Sequence, residues 1–259
     1  MSSQAKPEAN AAARQLLVAG AAQLGVALGA GQVDALLAYL ALIEKWNKVY
    51  NLTAVRDPAD MLTHHLLDSL AVIAPLRVRL AATAGGTDGA TDDAVDGRMD
   101  AVAANASDAP AQPGPVFRLL DVGSGAGLPG IVISICCPEI AVDCVDTVAK
   151  KAAFINQVAV TLKLPHLRGL HNRVDNLTSQ NPSEQYDVIC SRAFASLGDF
   201  TRLSAAALKE GGVWLAMKAK KPTEELAALG PLVEVFHVEQ LAVPGLDAER
   251  RIVWMRKSA

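Results

Sequence analysis

Apolar residues recur at three- and four-residue spacing along 9–28, 33–50 and 58–80, a pattern that gathers them on one side of a helix. Three helices are predicted there, the third with Pro58 just inside its start, where a missing N–H has no partner to lose. From residue 116 the pattern changes. Strand-length runs at 116–122, 140–146, 167–171, 186–191 and 211–219 are separated or followed by helical stretches at 128–137, 148–163, 199–209 and 223–229. Alternation of this kind predicts a parallel, doubly wound α/β sheet. Two last runs, 232–241 and 250–256, complete the sheet as an antiparallel pair around Pro244-Gly245.

Between the helical and the alternating regions lies a stretch with neither period. Residues 81–115 are rich in Ala, Gly, Thr and Asp, with six aspartates against the single Arg98, a net −5. Such a segment has too little apolar surface to offset its ordering entropy, so disorder is expected. It divides the chain into a helical cap at 1–80, an acidic insertion at 81–115 and an α/β unit at 116–259. The overall charge of −3 therefore hides a remainder of +2.

Composition narrows the class. A hydrophobic content of 51% with only 4% aromatics suits Ala-, Leu- and Val-rich helices packed on a buried sheet. Cys136, Cys137, Cys144 and Cys190 sit inside apolar runs without the paired spacing of a zinc site, so buried thiols in a reducing compartment are expected, and no metal. No signal-peptide pattern or membrane-length apolar run is present, which makes the expected location cytoplasmic.

The chemistry concentrates at 119–130, Leu-Leu-Asp-Val-Gly-Ser-Gly-Ala-Gly-Leu-Pro-Gly, where an apolar strand opens into a glycine loop before a helix. Glycines at 123, 125 and 127 let the backbone turn sharply and approach a ligand closely. Two cofactors compete for this loop. Gly125-x-Gly127-x-x-Gly130 satisfies the dinucleotide fingerprint, and Asp146 closes the next strand nineteen residues after Gly127, as an NAD site requires. Asp121 favours the other, because Asp-x-Gly-x-Gly-x-Gly resembles the S-adenosylmethionine loop of class I methyltransferases. Ligands in such sheets bind outside the carboxyl ends of the strands, and the residues there are Asp121, Asp146, Arg173, Arg192 and Lys218. An acid after the second strand suits ribose hydroxyls, and bases after the later ones suit a phosphate-bearing substrate.

Four phrases then occur in order: Trp46-Asn47-Lys48-Val49-Tyr50-Asn51-Leu52-Thr53, His65-Leu66-Leu67-Asp68-Ser69, the loop from Asp121 to Gly130, and Ser191-Arg192-Ala193-Phe194-Ala195-Ser196. Together they resemble the RsmG family, also called GidB, over about residues 35–256. The resemblance implies a class I, Rossmann-like methyltransferase with an N-terminal helical cap. It further implies methylation of a guanine N7 in the decoding region of 16S ribosomal RNA, with S-adenosylmethionine as cofactor and the ribosomal RNA or small subunit as partner. By the same resemblance Gly123 and Leu128 form the loop beneath the cofactor, Asp146 holds its ribose, and Val174 and Asp175 flank the adenine. Arg192 sits where cofactor and target base meet. The acidic insertion departs from the short link the family implies and bears on the shape of the RNA-facing surface.

Guanine N7 carries a free lone pair, so alignment rather than proton removal supplies most of the rate. Arg192 and Lys218 are candidate donors to guanine O6 or a phosphate, and Asp68 and Ser69 candidate orienting groups. Each also has a plainer reading. His65, Asp68 and Ser69 share one helical face that could dock the cap, and His64 points away as a surface or packing residue. Trp46, Asn47, Tyr50 and Asn51 would stack on RNA or, more in keeping with their type and spacing, dock the cap on the sheet. Arg192 could pair with Asp187 or Asp199, and Lys220 and Lys221 belong to a solvated charge run. An NAD-dependent oxidoreductase and a noncatalytic ribosome-binding module remain as alternatives. The first lacks a recognisable hydride-transfer acid, and the second does not need an intact glycine loop.

Overall fold

Seven strands form one sheet in the order β3-β2-β1-β4-β5-β7-β6 in the computed structural model, which describes residues 5–84, 115–178, 181–192, 194 and 196–258. β1 (Phe117–Val122), β2 (Ile140–Asp146), β3 (Leu167–His171), β4 (Tyr186–Ser191) and β5 (Leu208–Lys218) run parallel. β7 (Arg250–Lys257) lies antiparallel between β5 and β6 (Val233–Leu241). The strand order reverses between β1 and β4, which opens a crevice at the carboxyl ends of those two strands. The predicted alternation and the closing antiparallel pair are both present. Among the described residues, no helix is long and apolar enough to cross a membrane.

The cap is built from α1 (Ala5–Gln23), α2 (Ala30–Tyr50), α3 (Pro58–Met61), a π-helical turn at Leu62–Leu67, α4 (Asp68–Leu70) and α5 (Ile73–Ala84). The third predicted helix is thus interrupted. Pro75 cannot donate to the Ala71 carbonyl and its ring crowds that oxygen, so the chain turns at Ala71–Val72 before α5 begins. A second difference falls at 199–209. α8 (Leu197–Ser204) ends early, and β5 starts at Leu208 because Leu208 is already paired with Tyr186.

Cap and sheet share one core. Leu17, Leu36, Ile43, Leu66 and Leu70 of the cap pack in the same buried cluster as α6 (Gly130–Cys136), α7 (Ala149–Thr161) and the sheet face beneath. Trp46 packs at a tilt against Phe154 of α7 with ring centroids 5.3 Å apart, so the aromatic phrase of α2 docks the cap, while Asn47 is buried and accepts from the Thr53 N–H at 3.0 Å. Polar contacts hold both ends of α6 from above. The Tyr39 hydroxyl donates to the Ala126 carbonyl at 2.7 Å, and Gln32 Nε2 and Arg77 Nη2 donate to the Cys136 carbonyl at 3.2 and 2.7 Å. The opposite sheet face carries a smaller core around Phe200 and Trp214, whose indole N–H donates to Ser204 Oγ at 2.9 Å.

The acidic insertion falls almost wholly outside the described residues. Its two attachment points lie at the amino edge of the sheet: α5 contacts the last turn of α6 through Arg77, and the Val116 N–H bonds the Glu139 carbonyl just before β1. All four cysteines are buried free thiols, with burial pushing Cys136 up to about 12 and Cys137 up to about 11.

Candidate active site at the carboxyl ends of the strands

The glycine loop leaves β1 with Gly123, Gly125 and Gly127 at φ of 68, 60 and 91°, values that side chains rarely adopt. Gly123 is exposed on a cavity of about 520 Å³. A Cβ built there meets no protein atom within 4 Å, so the backbone presents an open face to whatever enters. Asp146, Val174 and Asp175 line the same cavity. Asp146 Oδ2 accepts from Gly125 N at 3.1 Å and Lys151 Nζ at 3.3 Å, and its Oδ1 accepts from Val148 N at 2.9 Å. One acceptor position on Oδ1 remains for a ligand hydroxyl. Asp175 is held by Arg173, which pairs with it at 2.8 Å. An acceptor, an apolar flank at Val174 and a close backbone approach fit an adenosyl ligand.

Three other loop residues are placed differently from expectation. Asp121 is fully buried and does not line the cavity. Its Oδ2 accepts from Gly130 N at 2.9 Å, so it fastens the start of α6 beneath the loop. Burial pushes this carboxyl up to about 7, against the pull of the Gly130 N–H and the Arg192 charge. Gly127 turns inward, where a Cβ would meet Ile131 at 2.4 Å, and Leu128 is a core residue. These positions support the loop from below.

A second cavity, of about 310 Å³, lies between the cap and the ends of β4 and β5. Asp68 is its centre. This carboxylate is buried, with Arg192 Nη1 on Oδ2 at 3.2 Å and Arg250 Nε on Oδ1 at 2.8 Å. Arg192 Nη1 also donates to the His64 carbonyl at 3.0 Å, so the partner of Arg192 is the cap and neither Asp187 nor Asp199. Those two acids pair with Lys209 and Arg202 instead. Ser191 Oγ donates to the Val122 carbonyl at 2.9 Å, which ties the end of β4 to a residue lining the first cavity, while Arg192 itself lines the second.

Two predicted site residues are not free to act there. Lys218 lines the cavity, but its ammonium is spent on both oxygens of Glu225, at 3.1 and 2.8 Å, and on the Phe194 carbonyl at 3.3 Å. It clamps α9 (Thr223–Ala227) to the strand end. Ser69 is fully buried, and its hydroxyl does not reach the cavity. The chain before it is a π-helical turn, Leu62–Leu67. His64, four residues before Asp68, stands with it on the cavity wall as helical i,i+4 neighbours do, while Ser69 faces the core. His65 also lines the cavity, with Nε2 2.9 Å from Thr53 Oγ1. Burial, reinforced by Arg192, lowers its pKa to about 4, so it is neutral at physiological pH. Arg250, Thr53 and the His64 carbonyl were missed in the sequence. The run of Glu249, Arg250 and Arg251 at the start of a strand is a signal that could have found the first.

Tyr39 supports the loop as well. Tyr39→Phe should leave the buried Ala126 carbonyl unpaired, costing about 1–3 kcal/mol divided between fold stability and loop order. Calorimetric titration with S-adenosylmethionine should show a several-fold rise in Kd, and an unchanged Kd would confine the hydroxyl to holding the cap.

Five parallel strands followed by an antiparallel β7 between β5 and β6, with a glycine loop after β1 and an acid closing β2, define a class I methyltransferase. The sequence profile described as GidB, rRNA small subunit methyltransferase G, matches residues 32–79 and 106–253. "Ribosomal RNA small subunit methyltransferase G" of Albidiferax ferrireducens is 62% identical over 95% of this chain and 97% of its own. The protein of that name from Polaromonas sp. is 59% identical over 95% and 94%. The chain belongs to the rRNA small subunit methyltransferase G family, and its cofactor is S-adenosylmethionine. Among solved structures, TrmN from Thermus thermophilus is similar at 23% identity and a TM-score of 0.45 over 56% of this chain and 45% of that one.

Proposed function

We propose that the chain methylates N7 of a guanine in the decoding region of 16S ribosomal RNA, acting in the cytoplasm on the small subunit or an assembly intermediate. The observation that carries this reading is the state of the second cavity. Its one carboxylate among the described lining residues, Asp68, is committed to two arginines, and His65 Nε2 is engaged with Thr53. An amine or hydroxyl acceptor needs a base to take its proton, whereas N7 has none to lose. The cavity is furnished with donors, as an acceptor flanked by O6 requires.

S-adenosylmethionine supplies an electrophilic methyl group when bound. Gly123 lets it approach the backbone, Asp146 accepts from its ribose, and Val174 and Asp175 flank its adenine, with Asp121, Gly125, Gly127 and Leu128 shaping the loop. Arg192 uses Nη1 on the cap and directs its remaining N–H groups to guanine O6, which orients N7. Asp68 is a positioning residue: it fixes Arg192 and leaves the wall with one net positive charge from the Asp68, Arg192 and Arg250 group. The target base reaches this wall by unstacking from the RNA.

Mass mapping of modified guanines in ribosomal RNA from cells with and without the gene tests the reading. The expected result is one N7-methylguanine lost from the decoding region. An unchanged N7 pattern, or a methyl lost from another atom, would overturn it.

A further inference from the structure

We infer that Arg250 is a substrate-binding residue that holds a phosphate of the RNA strand beside the target guanine. This rests on the functional reading above and adds a residue and a ligand group to it.

Arg250 opens β7, pairs with Leu241 across the ladder, and turns its side chain into the cavity under the cap. Nε is fixed on Asp68 Oδ1 at 2.8 Å and Nη1 on the Glu249 carbonyl at 2.9 Å. Its Nη2 makes no hydrogen bond to the described residues, and the side chain is 18% exposed. A guanidinium held this firmly, with one nitrogen aimed at an open cavity, is preorganised to donate outward.

Charge balance points the same way. A structural ion pair buried for its own sake tends to be neutral, because an uncompensated charge is costly to desolvate. Here Asp68 faces both Arg192 and Arg250, while Lys218 is already matched by Glu225. One guanidinium charge is left over in a half-enclosed space. An anion from outside completes it, and on an RNA substrate that anion is a phosphate.

Asp68 also divides the labour. Arg192 follows Ser191, which is bonded to the cofactor-side strand end, so it faces the reacting base. Arg250 takes the opposite carboxylate oxygen and lies on the side remote from β1, where the strand carrying that base would continue. One carboxylate thus sets the spacing between a base contact and a phosphate contact.

The test measures binding of wild type and Arg250→Gln to small subunits or a decoding-region RNA across a potassium chloride series, with S-adenosylmethionine affinity and melting temperature in parallel. The expected result is RNA binding weakened on the order of tenfold and a log–log salt slope shallower by about one phosphate, with cofactor affinity unchanged. A methylphosphonate at a phosphate flanking the target guanine should weaken the wild type and cost Arg250→Gln nothing further. An unchanged salt slope, or a methylphosphonate penalty equal in both proteins, would overturn the assignment. If the glutamine variant does not fold, Arg250→Lys keeps a charge against Asp68 but loses the fork. The flanking penalty should then shrink, and a full penalty overturns the proposal. Wild-type N7 methylation is the control that separates the two readings: without it the functional reading fails, and with it an Arg250-independent slope fails this one alone.

Discussion

Gly123→Val is expected to abolish binding of S-adenosylmethionine while leaving the chain folded. The residue has φ 68°, and a Cβ added there meets no protein atom, so the new carbons enter the space the ligand must occupy. A branched side chain in the left-handed region also costs roughly 1–2 kcal/mol locally. That cost is small against the stability of a domain whose core lies elsewhere. Calorimetric titration should show no binding heat at concentrations that saturate wild type, with melting lowered by a few degrees at most. Gly130→Val is the contrasting variant. There a Cβ would fall 2.5 Å from Cys144 Sγ and 2.9 Å from Asp121 Oδ2, both fully buried, and the chain should fail to fold. Retained cofactor affinity in Gly123→Val would mean that the loop does not approach the ligand as its geometry indicates.

Arg192→Ala should lower the single-turnover methylation rate by roughly a hundred-fold or more, the effect of about 3 kcal/mol of lost transition-state contact. The structural cost should be smaller. Removal leaves the His64 carbonyl without this donor, but Asp68 keeps Arg250, so no buried carboxylate is stranded. Lys220→Ala, on the exposed turn after β5, is the comparison: it should leave the rate at saturating RNA unchanged and only flatten the salt dependence of binding. If Arg192→Ala methylates at a near wild-type rate, the residue is only the pin between cap and sheet.

The sheet was legible because its signals are local. The runs at 140–146, 167–171 and 186–191 end where their strands end, since each apolar run is bounded by a turn or a helix start. The glycine loop was legible for the same reason. What could not be read were relations fixed by tertiary packing. Asp121 matches the cofactor motif yet faces inward, because the register of β1 turns its carboxylate toward the Gly130 N–H. Lys218 stands at a strand end as expected, but Glu225, seven residues on, takes its charge. His64 stands on the cavity wall and Ser69 in the core because the packing of the cap decides which side of this helical stretch is covered, and no residue type in Leu-Thr-His-His-Leu-Leu announces it. Arg250 is separated from Asp68 by 182 positions, so only the folded chain brings them together.

The attachment points of the acidic insertion have a practical consequence. Both the Arg77 turn of α5 and the Val116 entry to β1 sit at the amino edge, with the length of β1 between Val116 and Gly123. A fluorophore or affinity handle placed within 85–114 is therefore tethered at the end of the molecule opposite the catalytic mouth. Surface immobilisation through that site would leave the RNA-facing edge pointing outward, and a handle following β7 would do the same, because antiparallel β7 ends at that amino edge with Arg256 opposite Val213.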